Sequence, residues 1–386
     1  MQSRRAVLLG LIGVLAALSW QFLTVHYNYG GNWTALFCIA PHMPVPLFLK
    51  SERLYIFQNS TGFDGMVFHL IAHDPWMRHG SAEAIGGTAY RYRRILVPAL
   101  AWCLALGHDA WVHTAYYTVI LAFVFLGVYW LSLLLARAGC HPAWGLLFVL
   151  TPAALTSIDR MTVDIAVAAL TVGFALYAAN GPNWKTIAVL ACAALTKEQA
   201  MPILAGYVLF LLAQKHFAGA ARAAAASLPL LAWSAYLMYK WPNEPSSLTP
   251  LVSWVPFAGL VDSILHPVNY PFTPFKNAAG VAFDYVALAG MVIALALAVR
   301  LVIQRRWNPR TSAIYALGIA AVLVRDQAVW RDAYTFGRGF TPLLLLIAIE
   351  YTGQPWLAVL PMLLIDSRIS LNFLSQILGV LHGLLK

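Results

Sequence analysis

Long apolar runs separated by short polar segments fill most of the chain. Because about 20 mostly apolar residues cross a bilayer, such runs predict transmembrane helices. A last apolar stretch, 370–385, either crosses again or lies in the membrane interface. The pattern predicts an all-α polytopic membrane protein of about 11 spans, within a range of about 10–12. The candidate spans are 6–23, 112–136, 142–157, 161–179, 184–196, 199–214, 220–239, 281–303, 311–324, 341–350 and 354–366.

Two segments are predicted to stay outside the hydrocarbon region. The first is a long loop, 24–110, and the second is a loop rich in Pro and Trp, 241–280. Within the first loop, 95–106 is apolar but short and lies between Arg94 and His108. We interpret it as a helix on the membrane surface, with a true span as the alternative.

The N-terminus has two interpretations. Arg4 and Arg5 precede the apolar run 6–18, as in a signal peptide. The run continues to Leu23, long enough to span, and no A-x-A cleavage site follows. We therefore predict an uncleaved first helix with a cytoplasmic N-terminus.

Composition agrees with this pattern, since 61% of the 386 residues are hydrophobic, 10% are charged and the mean hydropathy is +0.70. Soluble domains carry about 25% charged residues, so a water-soluble domain is excluded. The four cysteines form no CxxC pair, and a bridge between Cys38 and Cys103 is left as an open alternative.

The net charge of +10 is explained by an uneven distribution of basic residues. On the predicted topology, eleven basic residues and one acidic residue, Glu350, face the cytoplasm. The other face then holds 14 of the 25 basic and 14 of the 15 acidic residues. This is the positive-inside pattern of a collar facing anionic lipid, and no nucleic-acid partner is predicted. The eleven residues are Arg4, Arg5, Arg137, Lys185, Lys215, Arg222, Arg300, Arg305, Arg306, Arg310 and Lys386.

The residues that could carry chemistry cluster on the predicted outer face. Ionisable groups near a membrane are costly, so they usually mark function or a paired network. Carboxylates can accept protons or bind metal, and guanidinium groups suit phosphate. The candidates are Asp64, Asp74, Arg94, Asp159, Arg160, Asp164, Lys197, Glu198, Arg331 and Arg338.

Each candidate also has a purely structural interpretation. Asp64, before Gly65, is either a catalytic group or a turn residue. Asp159, Arg160 and Asp164 are either functional or a helix cap with a local ion pair. The pair Lys197–Glu198 is either functional or an interfacial pair that ends two short spans.

His69 and His73 have the i,i+4 spacing of metal ligands on a helix, with Asp74 beside them. The local pattern offers no third ligand, so we assign no metal-binding residue. A divalent metal stays an open alternative, and no cofactor is predicted with certainty.

These features together resemble the GT-C fold of polyprenyl-phosphate-sugar-dependent glycosyltransferases, in the protein-mannosyltransferase-like and aminoarabinose-transferase-like branch. The resemblance rests on Phe63-Asp64-Gly65, on 92–98 followed by a juxtamembrane helix that ends near Gly107, and on 157–164 followed by 194–198. It covers roughly 6–215. We therefore divide the chain into a GT-C-like module, 1–215, and a variable C-terminal module, 216–386.

The resemblance implies transfer of a sugar, with inversion, from a polyprenyl-phosphate-linked donor to a hydroxyl of a glycan, lipid or protein at the outer face. Asp64 would be the general base, and Asp164 would orient a cation. Many members carry two adjacent acids where this chain has Asp64 and Gly65, which leaves any metal requirement open. Cations to bind substrate and phosphate would be Arg94, Arg160, Lys197, Arg331 and Arg338, with Asp74, Asp159 and Glu198 supporting them.

A transporter or flippase of a lipid-linked or anionic substrate is the alternative from another class, and an inactive scaffold is a third. Charges at span ends on one face, without a repeated pair of broken helices, favour the enzyme. Compact loops without a soluble domain suggest a bacterial inner membrane, with the site facing the periplasm or the outside.

Overall fold

The computed structural model describes residues 2–46, 49–50, 52–85, 88–242, 252–271 and 273–385. Within these ranges the chain is helical, and its extended pairings are two isolated bridges, Ile39 with Ile56 and Val252 with Val324. The predicted all-α class is therefore confirmed for the described part of the chain.

The α-helices of the described residues are numbered here in chain order, and 3₁₀ segments at 33–37, 142–150, 178–180 and 225–227 lie between them. They are α1 (Gln2–Asn28), α2 (Asp64–His73), α3 (Ser81–Ala84), α4 (Thr88–Tyr92), α5 (Leu96–Leu104), α6 (Asp109–Arg137), α7 (Pro152–Arg160), α8 (Asp164–Tyr177), α9 (Trp184–Thr196), α10 (Ala200–Ala213), α11 (Phe217–Ala224), α12 (Leu228–Lys240), α13 (Ala258–Leu265), α14 (Pro274–Ile303), α15 (Pro309–Leu323), α16 (Gln327–Trp330), α17 (Ala333–Glu350) and α18 (Pro355–Leu384).

The protein is a helical membrane protein. Among the described residues, α1, α6, α14 and α18 are long and apolar enough to cross a membrane, and the bent pair 142–150 and 152–160 makes a fifth if it counts as one span. The outward faces of these helices are apolar: Leu8 and Leu15 of α1 are exposed. Such a surface suits lipid rather than water.

The prediction of about 11 spans is not confirmed. Helices 164–180, 184–196, 200–213 and 309–323 are apolar but shorter than a span needs. They lie where spans were predicted, so the pattern located these helices correctly without establishing that each one crosses.

Several predicted boundaries are wrong. The runs 354–366 and 370–385 form one helix of 30 residues, α18, because the polar residues between them do not interrupt it. The run 142–157 bends by 56° at Thr151, where Pro152 begins α7. The run 220–239 is divided into α11, a 3₁₀ turn and α12.

Both predicted loops contain helices. In 24–110, α1 continues to Asn28, α6 begins at Asp109, and α2 to α5 lie between them. Helix α5 has nine residues, about 13.5 Å, so the alternative that 95–106 spans the membrane is wrong. The loop 241–280 holds α13 and the start of α14, and residues 243–251 and 272 lie outside the described residues.

Helix α8 lies at the centre of the bundle. All its residues from Asp164 to Leu176 are buried, and they pack against α6, α7, α9 and α17. Most of them are Ala, Val, Leu or Gly, which lets neighbouring helices approach closely. The start of α8 therefore places the carboxylate of Asp164 deep between other helices.

Two groups of charges lie at opposite ends of α17, while Arg368 of α18 and Asp284 of α14 form a pair well inside their helices. Arg338 is near the start of α17, and Glu350, at its end, accepts a 2.5 Å hydrogen bond from Nε of Arg310. Twelve residues of helix separate Arg338 from Glu350, a rise of about 18 Å. The predicted two-face arrangement requires such a separation, and which face is cytoplasmic stays a prediction.

The end of α18 lies beside the end of α1, since Nδ2 of Asn28 donates a 3.1 Å hydrogen bond to the carbonyl of Gln376. The continuous helix therefore carries the chain away from the Arg4 end of α1. Lys386, predicted on the Arg4 side, lies outside the described residues.

All four cysteines are free thiols; Cys38 is buried and Cys103 is exposed. The alternative of a bridge between them is wrong.

The contact of α10 with α15 gives a first prediction. A Cβ at Gly206 would lie 2.5 Å from the backbone oxygen of Ser312, whereas a Cβ at Gly318 meets nothing within 4 Å. We expect Gly206→Ala to destabilise the protein by about 1–3 kcal/mol through overpacking, and Gly318→Ala to be neutral or stabilising. Thermal unfolding in detergent measures both, and equal midpoints for the two variants would contradict the packing.

Candidate functional site

The Asp64-Gly65 pair opens α2, with Phe63 as an extended residue before it. A Cβ at Gly65 would lie 2.1 Å from the carbonyl oxygen of Arg160 and 3.1 Å from that of Phe37. The backbone of α2 therefore packs directly on the end of α7. An acidic side chain at position 65 would have no room, so only one acidic residue, Asp64, fits at this site.

Asp64 belongs to a network that we call the central charge network, defined as Asp64, Asp164, Lys197 and Arg338. Nη2 of Arg338 lies 2.6 Å from Oδ2 of Asp64, and its Nη1 lies 3.3 Å from Oδ2 of Asp164. Nζ of Lys197 lies 2.5 Å from Oδ1 of Asp164. One guanidinium therefore joins two carboxylates from different helices, and it comes from the C-terminal module, which the resemblance does not reach.

A second group of charges borders the network. Nε of Arg94 donates a 3.1 Å hydrogen bond to Oε2 of Glu198, its Nη2 donates to Oε1, and the hydroxyl of Tyr90 donates to Oε1 at 2.9 Å. Nη1 of Arg91 lies 3.8 Å from Oδ1 of Asp64. We call Arg91, Arg94 and Glu198 the rim.

Exposure divides these residues by depth. The side chain of Asp64 is 25% exposed, while those of Asp164 and Lys197 are 1% and 6% exposed. Arg338 is also buried. Asp64 is therefore the carboxylate of the network that a bound molecule can reach.

Together the network and the rim carry an excess of positive charge. Four cations (Arg91, Arg94, Lys197, Arg338) face three carboxylates (Asp64, Asp164, Glu198), a net charge of +1. Among the described residues, the buried Nε of Arg338 has no hydrogen-bond partner. An anion placed here would meet a cationic surface with an unused donor.

Both partly exposed carboxylates are held ionised. Burial alone would raise the pKa of Asp64, but the positive charges of Arg338, Arg94 and Lys197 outweigh it and lower the pKa to about 2. The pKa of Glu198 is likewise about 2, because Arg94 and Lys197 outweigh its burial. Both groups are therefore anionic at neutral pH.

Asp159 and Arg160 form a separate pair at the end of α7. Nε of Arg160 lies 3.1 Å from Oδ2 of Asp159, which also accepts a 3.3 Å hydrogen bond from Nε2 of Gln376. Nη1 of Arg160 is buried without a hydrogen-bond partner in the described part of the chain. The pair lies next to the central charge network, since the Arg160 carbonyl contacts Gly65.

Two predicted site residues have other partners. Asp74 accepts hydrogen bonds from the backbone N–H groups of Arg78 and His79 and from the hydroxyl of Ser81, so it holds a turn. Arg331 lies 3.7 Å from Asp262 of α13. The structure therefore does not bring these two together with Asp64.

A histidine cluster lies farther along α2. Nε2 of His69 lies 3.2 Å from Nε2 of His73 and 2.5 Å from Nε2 of His113, and the latter nitrogen lies 3.0 Å from Oε2 of Glu52. Burial lowers the pKa values of His69 and His73, so both are neutral. The sequence pattern offered two of these four groups; His113 and Glu52 come from distant segments.

No family model, no curated protein and no solved structure matches this chain. The resemblance to the GT-C glycosyltransferases stays an interpretation of the residues quoted for it.

The bridging role of Arg338 gives a second prediction. In Arg338→Met the buried carboxylate of Asp164 keeps one partner instead of two, and Asp64 loses its closest cation. Breaking a buried pair typically costs about 3–5 kcal/mol. The matched control, Arg331→Met, removes a partly exposed pair worth about 0–1 kcal/mol. Unfolding midpoints of the two variants in one detergent make the comparison, and a similar small loss in both would contradict the bridge.

A third prediction concerns pH. The pKa of Asp64 is lowered from 3.8 to about 2, so its ionised form stabilises the fold fully above its ordinary pKa and this contribution is lost as pH falls toward 2. The stability difference between the native protein and Asp64→Asn should therefore be constant from about pH 7 to 5 and shrink below about pH 4. Thermal unfolding across this range measures it. Shrinkage already between pH 7 and 5 would mean that the pKa is raised instead.

Proposed function

We propose that the protein is a membrane glycosyltransferase that moves a sugar from a polyprenyl-phosphate-linked donor to an acceptor hydroxyl. The observation that carries the proposal is the placement of Asp64. It is a reachable, ionised carboxylate held against buried cations, at one end of a bundle whose outer surface is apolar. This arrangement puts a proton acceptor and a phosphate-binding surface side by side at a lipid surface.

The cations supply the phosphate-binding part. Guanidinium groups bind phosphate through two parallel hydrogen bonds, and Nε of Arg338, which has no hydrogen-bond partner among the described residues, points to such a contact. Arg91 and Arg94 border the same place from α4 and the segment after it. The apolar helix surfaces would accept the prenyl chain, so the donor would approach from within the membrane.

The reaction would proceed by a single displacement. The acceptor oxygen attacks the anomeric carbon as the bond from that carbon to the phosphate oxygen breaks, and its electron pair leaves with the phosphate. The hydroxyl proton goes to the carboxylate of Asp64. A positioned base typically contributes about 10²–10⁴-fold, and the cations stabilise the charge that develops on the phosphate.

The low pKa of Asp64 has a consequence for this step. A base is most effective when its pKa is near the working pH, and Asp64 paired with Arg338 is far below it. A phosphate that engages Arg338 would compete for its charge and add a negative charge of its own. Both effects raise the pKa of Asp64, so donor binding would activate the base.

The remaining predicted residues have different roles in this proposal. Arg160, whose Nη1 has no hydrogen-bond partner in the described ranges, is a further candidate to bind the donor, and Asp159 holds it in place. Asp164 orients both Lys197 and Arg338. We place the site on the outer face of a bacterial inner membrane, with the N-terminus in the cytoplasm, because the basic residues of the opposite end form the cytoplasmic collar.

One observation favours the second candidate, a transporter or flippase of a lipid-linked or anionic substrate. Broken helices are typical of transporter binding sites, and 142–150 and 152–160 meet at 56° at Thr151, with Asp159 and Arg160 at the other end of the second helix. Accumulation of a substrate across a liposome membrane would support transport. Formation of a covalent sugar product would support the transferase.

Asp64→Asn gives the fourth prediction. The variant should keep its fold and its bound lipid and lose about 10²–10⁴-fold in transfer, because the amide cannot take the acceptor proton. Native mass spectrometry of gently solubilised protein should show a co-purified polyprenyl-phosphate species in both forms. That species defines the donor for the transfer assay.

The matched control is Asp326→Asn, since the Asp326 carboxylate caps α16 and asparagine caps equally well. This control should keep full transfer activity. Full activity in Asp64→Asn would remove Asp64 from the mechanism. Bulk phospholipid alone, in repeated preparations of the native protein, would count against the donor class.

A further inference from the structure

Four potential metal ligands from three segments converge beside α2. Three are the Nε2 atoms of His69, His73 and His113, and the fourth is a carboxylate oxygen of Glu52. All four atoms lie within 4.8 Å of one another. His69 and His73 are buried, while His113 and Glu52 are partly exposed, so an ion could reach the cluster from one side.

A second carboxylate fixes the orientation of one ring. Oδ1 of Asp109 lies 2.8 Å from Nδ1 of His73. An ionised carboxylate accepts hydrogen bonds only, so Nδ1 of a neutral His73 carries the proton and its Nε2 presents a lone pair to the cluster. Metal-binding histidines are oriented in this way by a carboxylate on the other ring nitrogen.

Hydrogen bonds among the rings account poorly for this convergence. Each neutral imidazole has one N–H, and that of His73 is used by Asp109. Nε2 of His69 faces the Nε2 atoms of both His73 and His113, and one N–H on it can bond to only one of them. In a tetrahedral zinc site with bonds of about 2.0–2.1 Å, ligand atoms are about 3.3 Å apart. The separations of 3.2 Å and 3.0 Å in the cluster are close to this value, and the 2.5 Å between the Nε2 atoms of His69 and His113 would lengthen by about 0.8 Å around an ion.

We propose that His69, His73, His113 and Glu52 bind a divalent transition metal, with Asp109 as the carboxylate that orients His73. Three imidazoles and one carboxylate suit zinc, and they also accept other first-row metals of similar preference. The set is separate from the central charge network and from the predicted Asp64 chemistry.

The position of the cluster points to a structural metal. Five residues separate His69 from Asp64, and at 100° per residue the two side chains leave α2 in directions about 140° apart. Four protein ligands also fill a tetrahedral site, as in structural zinc centres. The ion would join α2 to the start of α6 and to the segment that contains Glu52, and so hold the first loop over the bundle.

The test begins with metal analysis of the full chain. The protein is purified in detergent without a polyhistidine tag, metal resin or chelator, and its zinc, iron, manganese, cobalt, nickel and copper are measured by inductively coupled plasma mass spectrometry. We expect about one equivalent of one metal per chain. In His69→Ala and His113→Ala the content should fall at least tenfold.

The matched control is His266→Ala. His266 also contacts a carboxylate, with Nδ1 at 3.1 Å from Asp262, but it is exposed. Its substitution should leave the metal content unchanged. Equal metal content in His69→Ala and the native protein would place any bound metal elsewhere and overturn the proposal.

A second variant keeps the test decisive if loss of a ligand prevents folding. Asp109→Asn retains all four ligands, and loss of an orienting carboxylate typically weakens metal affinity by about 10–100-fold. Zinc is titrated into native and variant protein stripped with EDTA, in competition with a chromophoric chelator. If the purified protein contains no metal and the stripped native protein binds no zinc, the cluster does not bind metal and the proposal is overturned.

Discussion

The guanidinium of Arg338 is the contact on which the site depends. It binds Asp64 at the start of α2, whose side chain is 25% exposed, and Asp164 at the start of α8, which is buried. An isolated charge in such surroundings costs several kcal/mol, so each carboxylate needs a cation nearby. Because Arg338 lies on α17, this requirement ties the C-terminal part of the chain to the first loop.

The same requirement shapes the helices around it. Helix α8 can carry Asp164 into the centre of the bundle because its small residues allow close packing and because Lys197 completes the neutralisation. Gly65 allows α2 to rest on the backbone of α7, which brings Asp64 within reach of Arg338. Apolar side chains cover much of the outside of the long helices, while the central charge network lies within the bundle.

Helix α2 faces two different clusters of polar side chains on two sides. Its first residue faces the central charge network, and His69 and His73 face the proposed metal cluster with His113. The helix has ten residues, too few to be stable by itself. Contacts on both sides therefore fix its position, and a metal on one side would make the placement of Asp64 on the other more rigid.

The local pattern of apolar and polar residues determined where most helices of this protein lie. Apolar runs located almost every long helix. The reason is that a helix facing lipid and a helix buried in the bundle both need mostly apolar residues. The pattern did not determine continuity: the polar residues around Arg368 suggested a break in α18, yet the ion pair of Arg368 with Asp284 of α14 satisfies the charge inside one continuous helix. The residue types of the site, including Asp64, Asp164, Lys197 and Arg338, were also visible in the sequence.

Only the tertiary structure decided which of these residues meet. Arg338 and Arg331 look alike in the sequence, but one bridges two carboxylates and the other pairs with Asp262. His69 and His73 gave the local half of a metal pattern, and His113 and Glu52 complete it from segments that no local spacing connects to α2. The physical reason is that hydropathy and helix periodicity act over a few residues, whereas ion pairs and ligand sets form wherever packing brings side chains together.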